Sequence, residues 1–97
     1  MPTDKIDSDN AQWHARLATL LTASGKHDSA ASHYQRALRG LDEAAYSETQ
    51  KRRLRLQWQF DLAATETKRG ERQKAIDLYE TILLVDPTCV EAKRNWQ

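Results

Sequence analysis

Trp13, Leu17, Leu20 and Leu21 stand at i, i+4, i+7 and i+8, an apolar stripe with the period of a helix, and Gly25 follows as a stop signal. The spacing predicts a first helix from about Asp9 to Ser24. After the turn, Ala30, Tyr34, Ala37, Leu38, Leu41 and Ala45 repeat the period, predicting a second helix that ends near Ala45. Ser47 followed by Gln50 is a capping-box pattern, in which each side chain can satisfy an orphan amide at a helix start. A third helix opens there. Its middle carries a conflict, because Leu54, Leu56, Trp58, Phe60 and Leu62 alternate with polar residues in the period of a strand. The flanks, Glu48 to Arg53 and Ala63 to Arg69, are mostly helix formers without Gly or Pro, and they favour helix. In a helix the alternation becomes two stripes, Leu54-Trp58-Leu62 and Leu56-Phe60-Ala63, as a helix sandwiched between neighbours requires. A fourth helix, about Arg72 to Val85, places Ala75, Ile76, Tyr79, Ile82 and Leu83 on one face and is closed by Asp86-Pro87. Thr88 with Glu91 forms a second capping box and predicts a fifth helix carrying Val90, Ala92 and Trp96.

The pattern is duplicated. A shift of 45 residues superposes Trp13 on Trp58, Leu17-Ala18 on Leu62-Ala63, Gly25 on Gly70, Ala30 on Ala75, Tyr34 on Tyr79 and Leu38 on Leu83. Each unit is a helix, a Gly turn and a second helix. The expected organisation is a tail over residues 1–8 and one domain over 9–97, with units at about 10–46 and 47–87 and a capping helix over 88–97.

Composition narrows the function classes. Apolar residues make up 39% and charged residues 30%, the balance of a soluble helical protein, and 97 residues allow one thin-cored domain. Fifteen basic and fourteen acidic residues leave a net charge of +1, so no whole-molecule field attracts nucleic acid or anionic lipid. The run Lys51-Arg52-Arg53-Leu54-Arg55 is a local basic patch, read first as a solvated helix face. Cys89 is the single cysteine, and His14, His27 and His33 show no metal-ligand spacing, so neither cofactor nor metal is expected. No phosphate loop or nucleophile-base pair is present, and catalysis is not expected. No apolar run is long enough to span a membrane and no secretion signal opens the chain, which makes the cytoplasm the expected compartment.

Leu62-Ala63, Gly70, Ala75-x3-Tyr79, Ile82 and Asp86-Pro87, with Leu17-Ala18, Gly25, Ala30-x3-Tyr34 and Ala37-Leu38 before them, resemble the tetratricopeptide repeat. The likeness covers nearly all of residues 10 to 97. It implies an all-α fold of about five helices, arranged as a right-handed superhelical array of antiparallel hairpins. Trp13 and Trp58 are displaced by one position from the family pattern, Glu66 stands where a Tyr is usual, and Asp42 stands where the first unit's Pro should fall. The 45-residue spacing exceeds the usual 34 by eleven, about three helical turns, so the helices flanking the junction can lengthen without rotating their apolar faces.

By the same resemblance, the first helix of each unit lines a concave side suited to a peptide or partner helix. The residues so placed are Gln12, Ala15, Arg16, Thr19 and Ala23, then Gln57, Phe60, Asp61, Ala64 and Lys68, then Glu91, Arg94 and Asn95. The contacts expected from them are Gln12, Arg16, Thr19, Gln57, Phe60, Asp61, Lys68, Arg94 and Asn95. Family members that clamp a terminal carboxylate use Lys, Asn and Arg on these faces, and here Ala15, Thr19, Asp61, Glu91 and Asn95 hold the matching places. The expected function is therefore a protein-interaction scaffold other than a carboxylate clamp. Self-association as a homo-oligomerisation module is the alternative, and nucleic-acid contact through the basic run is a weaker third.

Overall fold

The computed structural model of the chain describes residues 3–86, with side chains from Ala11 onward. Among the described residues there are four helices and no strand: α1 (Thr3–Ala23), α2 (His27–Glu43), α3 (Glu48–Lys68) and α4 (Arg72–Val85). The predicted fifth helix, residues 88–97, lies outside the described residues. α1 starts six residues before the expected Asp9 and takes in most of the stretch assigned to a tail. Between Thr3 and Asp9 no Gly or Pro interrupts the chain, so nothing local stops the helix from continuing backwards.

The segment from Leu54 to Leu62 is helical throughout. The alternation that looks like a strand serves two opposite contacts. Trp58 packs with Ala11, Ala15, Ala37 and Leu41, and half-buried Leu54 lies against the same cluster. Leu62 joins Ala18, Ala30, Ala31 and Tyr34. Leu56 and Phe60 face the other way, onto Ala63, Ala75, Tyr79 and Ile82. α3 is therefore the shared wall between the two hairpins, apolar on two sides because it has a neighbour on each.

Two turns of one design make the hairpins. Gly25 and Gly70 both have φ +82°, a left-handed conformation that an L side chain adopts only with strain. At the first, Lys26 N donates to Leu21 O at 2.8 Å and Gly25 N to Thr22 O at 3.1 Å. At the second, Glu71 N donates to Glu66 O at 2.9 Å and Gly70 N to Thr67 O at 3.1 Å. This six-to-one and five-to-two pairing caps the carbonyls of the ending helix, and its partners coincide under the 45-residue shift. The junction between hairpins is different. α2 ends in extended backbone at Ala44, and Ser47 Oγ accepts from Gln50 N at 3.2 Å to cap α3.

Within the first hairpin the helices are antiparallel. Ala11 lies 3.4 Å from the point where a Cβ on Gly40 would stand, and eight residues on, Thr19 Oγ1 meets the Tyr34 hydroxyl at 3.1 Å. Fully buried Ala18, Ala30, Ala31 and Ala37 allow that approach. α2 with 17 residues and α3 with 21 exceed α4 with 14, as the long repeat spacing predicts, and α1 matches α3 through its early start. The basic run binds its own protein at the long hairpins' end. Arg55 pairs with Asp42, Lys51 Nζ donates to the Asp42 carbonyl at 3.4 Å, and Arg52 Nη2 donates to the Val85 carbonyl at 3.3 Å. Asp42, standing where a Pro is usual, thus joins α2 to α3.

Candidate functional site: a trough between α1 and α3

Ala15 packs with Trp58, and Thr22 Oγ1 meets Thr65 Oγ1 at 3.3 Å, so α1 and α3 run side by side in the same direction. Between them lies an open trough of about 240 Å³, lined by Gln12, Ala15, Arg16, Thr19, Leu54, Gln57, Trp58 and Asp61. That is smaller than the roughly 300–1,000 Å³ typical of small-molecule pockets, and it suits one inserted side chain of a longer ligand. The spacing makes the trough: positions 12, 15/16 and 19 on α1, and 54, 57/58 and 61 on α3, each mark one helical face.

The wall is polar but internally organised. Thr19 Oγ1 donates to the Ala15 carbonyl at 3.0 Å, which uses its one proton, so the Tyr34 hydroxyl is the donor in their 3.1 Å bond. Burial pushes the Tyr34 phenol above its ordinary pKa, with the Asp61 charge adding to the shift, and the group remains a donor at neutral pH. Asp61 is half-buried. Burial alone raises its pKa, because no cation among the described residues pairs with its carboxylate. A carboxylate whose pKa rises on folding weakens the fold while ionised, and that loss is relieved as pH drops below the raised value. Asp61→Asn is accordingly expected to raise the melting midpoint at neutral pH by about 2 °C, measured by circular dichroism, and to leave the acid side of the profile less changed.

The sequence-predicted contacts divide into three groups. Gln12, Arg16, Thr19, Gln57 and Asp61 come together in the trough. Phe60 turns to the opposite side of α3, edge-on to Tyr79 at 5.8 Å between ring centroids. Lys68 lies at the lower end with Gly25, Lys26, His27, Asp28, Ser29 and Arg69, around a second open depression. Arg94 and Asn95 fall outside the described residues. Leu54 and Trp58 were missed as lining residues. Extending the Gln57-Asp61 face back by one turn reaches Leu54, and Trp58 stands on the apolar stripe Leu54-Trp58-Leu62, whose edge borders the trough.

Two clusters arise from contacts across the turns. His14 and His33, 19 residues apart, stack with centroids 5.1 Å apart and Nδ1 atoms 2.9 Å apart. Trp13 stands edge-on to both. His14 and His33, without metal-ligand spacing in the sequence, are thus a pair in the fold. Burial, His33 and Arg36 lower the His14 pKa. Folding therefore disfavours its protonation, and stability present above the ordinary histidine range is lost as pH falls through that range towards the depressed value. The melting midpoint is expected to fall between about pH 7.5 and 5.5, and to fall less in His14→Gln, measured by thermal melts across that range. The second cluster holds Glu66, 1% exposed, whose Oε1 accepts from Arg69 Nη1 at 2.5 Å while Arg69 Nε donates to Asp28 Oδ1 at 2.8 Å. Those acceptors hold the arginine charge and raise its pKa, Glu66 most and Asp28 next.

Residues 14–49 match a family model described as tetratricopeptide repeat. The chain carries a tetratricopeptide repeat. The matched stretch runs from His14 in α1, through α2, to Thr49 in the first turn of α3, which is the first hairpin and the start of the helix that packs on it. Comparison with curated proteins yields no match. Tetratricopeptide repeats mediate protein–protein interaction and are not themselves catalytic. Among the described residues, no group of three or more His, Cys, Asp or Glu side chains is placed to hold a metal ion. No described helix is long and apolar enough to cross a membrane.

Proposed function

We propose that the domain is a protein-interaction scaffold that holds a peptide or partner helix along the trough between α1 and α3. The observation that carries this reading is the convergence of Gln12, Arg16, Thr19, Gln57 and Asp61 on one open surface between parallel first helices. Polar groups there are exposed or half-buried, while the apolar residues beneath form a fixed floor. A site on rigid helices loses little conformational entropy on binding. A photo-crosslinking residue at position 57 should capture a protein partner, and one at exposed Arg39 on α2 should not. Capture from position 39 alone, or equally from both, would move the binding surface elsewhere.

A second reading, self-association, is favoured by the outer face of α1. Trp13 is 57% exposed and Leu20 66%, whereas the residues one repeat later, Trp58 and Thr65, are 5% and 1% exposed. The face of α1 equivalent to the one that seats α3 on the first hairpin is exposed at Trp13 and Leu20. Light scattering over a concentration series tests this, and a constant monomer mass removes it.

A further inference from the structure

Among the described residues, the trough holds a half-buried carboxylate, that of Asp61, without an ion-pair partner. Asp61 lines the α3 side, beside Gln57 and Trp58, and is half-buried. Its main-chain carbonyl is used by Thr65 Oγ1 at 2.9 Å, yet among the described residues its carboxylate has neither a hydrogen bond nor an ion pair. The contrast with other half-buried or buried charges is direct, since Glu66 is matched by Arg69 and Arg55 by Asp42. Arg16 lines the same trough from α1, but it is exposed at the rim and forms no ion pair with Asp61. A partly desolvated carboxylate without a partner costs stability in the free protein, and a cation brought to it can form a charge-assisted hydrogen bond that removes that cost. The neighbouring groups fit a cation's needs. Gln57 offers an amide oxygen, and the walls of Ala15, Leu54 and Trp58 can cover the methylene stem of a long side chain.

We propose that the partner segment inserts a lysine or arginine side chain into the trough, its charge on Asp61 and its stem against Leu54 and Trp58. This rests on the reading of the trough as the binding surface and specifies its ligand. Charge complementarity, rather than the depression itself, selects the occupant: of the two charges lining the trough, Arg16 is exposed to water and Asp61 is half-buried, so a cationic residue that pairs with Asp61 is favoured over an acidic one or a terminal carboxylate. The volume of about 240 Å³ matches one long side chain and leaves the rest of the segment to lie along the helices.

The test is selection from a random peptide library against the wild-type chain and against Asp61→Asn, with both variants checked for an intact thermal transition. Peptides enriched on the wild type should share a Lys or Arg at a fixed position. Their affinity, measured by calorimetry, should fall about tenfold or more on Asp61→Asn, and equally when that one residue of the peptide is changed to Gln. Enriched peptides that carry no fixed cation, or that bind Asp61→Asn as well as wild type, overturn the inference and leave the trough as a binding surface. Failure of any peptide to enrich removes both. A lowered melting midpoint in Asp61→Asn also overturns it, because the carboxylate would then already be paired within the chain.

Discussion

Trp58→Ala is expected to destabilise the domain by about 3–5 kcal/mol, while Trp13→Ala, at the duplicated position, costs less than about 1 kcal/mol. The two residues occupy equivalent places in their hairpins and differ in what covers them. Trp58 is seated among Ala11, Ala15, Ala37 and Leu41, contributed by both helices of the first hairpin. Truncation there opens a cavity at the junction of three helices, where the surrounding alanines have no length with which to fill it. Trp13 is 57% exposed, with the His14 and His33 rings beside it. Urea unfolding of both variants measures the contrast, with the midpoint moving and the slope unchanged if each remains two-state. Equal costs at the two positions would mean that the hairpins do not stack through Trp58.

The second large effect is expected from Arg69→Met. That change leaves the Glu66 carboxylate, 1% exposed, without its cation and cuts the link from α3 to Asp28 on α2. Breaking a buried pair from one side strands a charge, and a loss of about 2–4 kcal/mol is expected, less than for a fully enclosed pair because the Arg69 side chain is 21% exposed. Removing both charges with Glu66→Gln and Arg69→Met together should cost less than Arg69→Met alone. A double-mutant cycle in urea decides it, and additive losses would show that the two side chains do not act as a pair. The arrangement also explains a departure from the family pattern. Where a tyrosine is usual, the chain uses a buried acid held by an arginine three residues on.

Much of this fold is legible in the sequence, and the reasons differ by element. Helices α2 and α4 follow from a single apolar face of period 3.6, and both turns follow from a glycine whose backbone conformation few other residues tolerate. α3 is harder because local periodicity alone points to a strand. Only its flanks and its likeness to α1 correct this, since a helix contacted on two sides loses the one-faced signature. The start expected at Asp9 lies six residues after the observed Thr3 because the opening turns of α1 carry little of the apolar stripe. The trough is partly legible: Gln12, Arg16 and Thr19 share one face of one helix, and Gln57 and Asp61 share one face of another. Phe60 shows the limit of that reasoning, for it neighbours Asp61 in sequence yet points to α4. The His14–His33 pair and the Glu66–Arg69–Asp28 network were out of reach. Both depend on the register between helices, which is fixed by packing and not by spacing along the chain.

Among the described helices the main packing follows chain order, α1 on α2, α2 on α3 and α3 on α4, and α1 touches α3 more lightly. An arrangement of this kind is linear in its energetics: a helix at an end can detach without disturbing those beyond its neighbour. Loss of α4 would uncover Leu56 and Phe60 on α3 but leave Trp58 and Leu62 seated on the first hairpin. The trough, built wholly from α1 and α3, would outlast that loosening. Recognition is thereby insulated from fluctuations in α4.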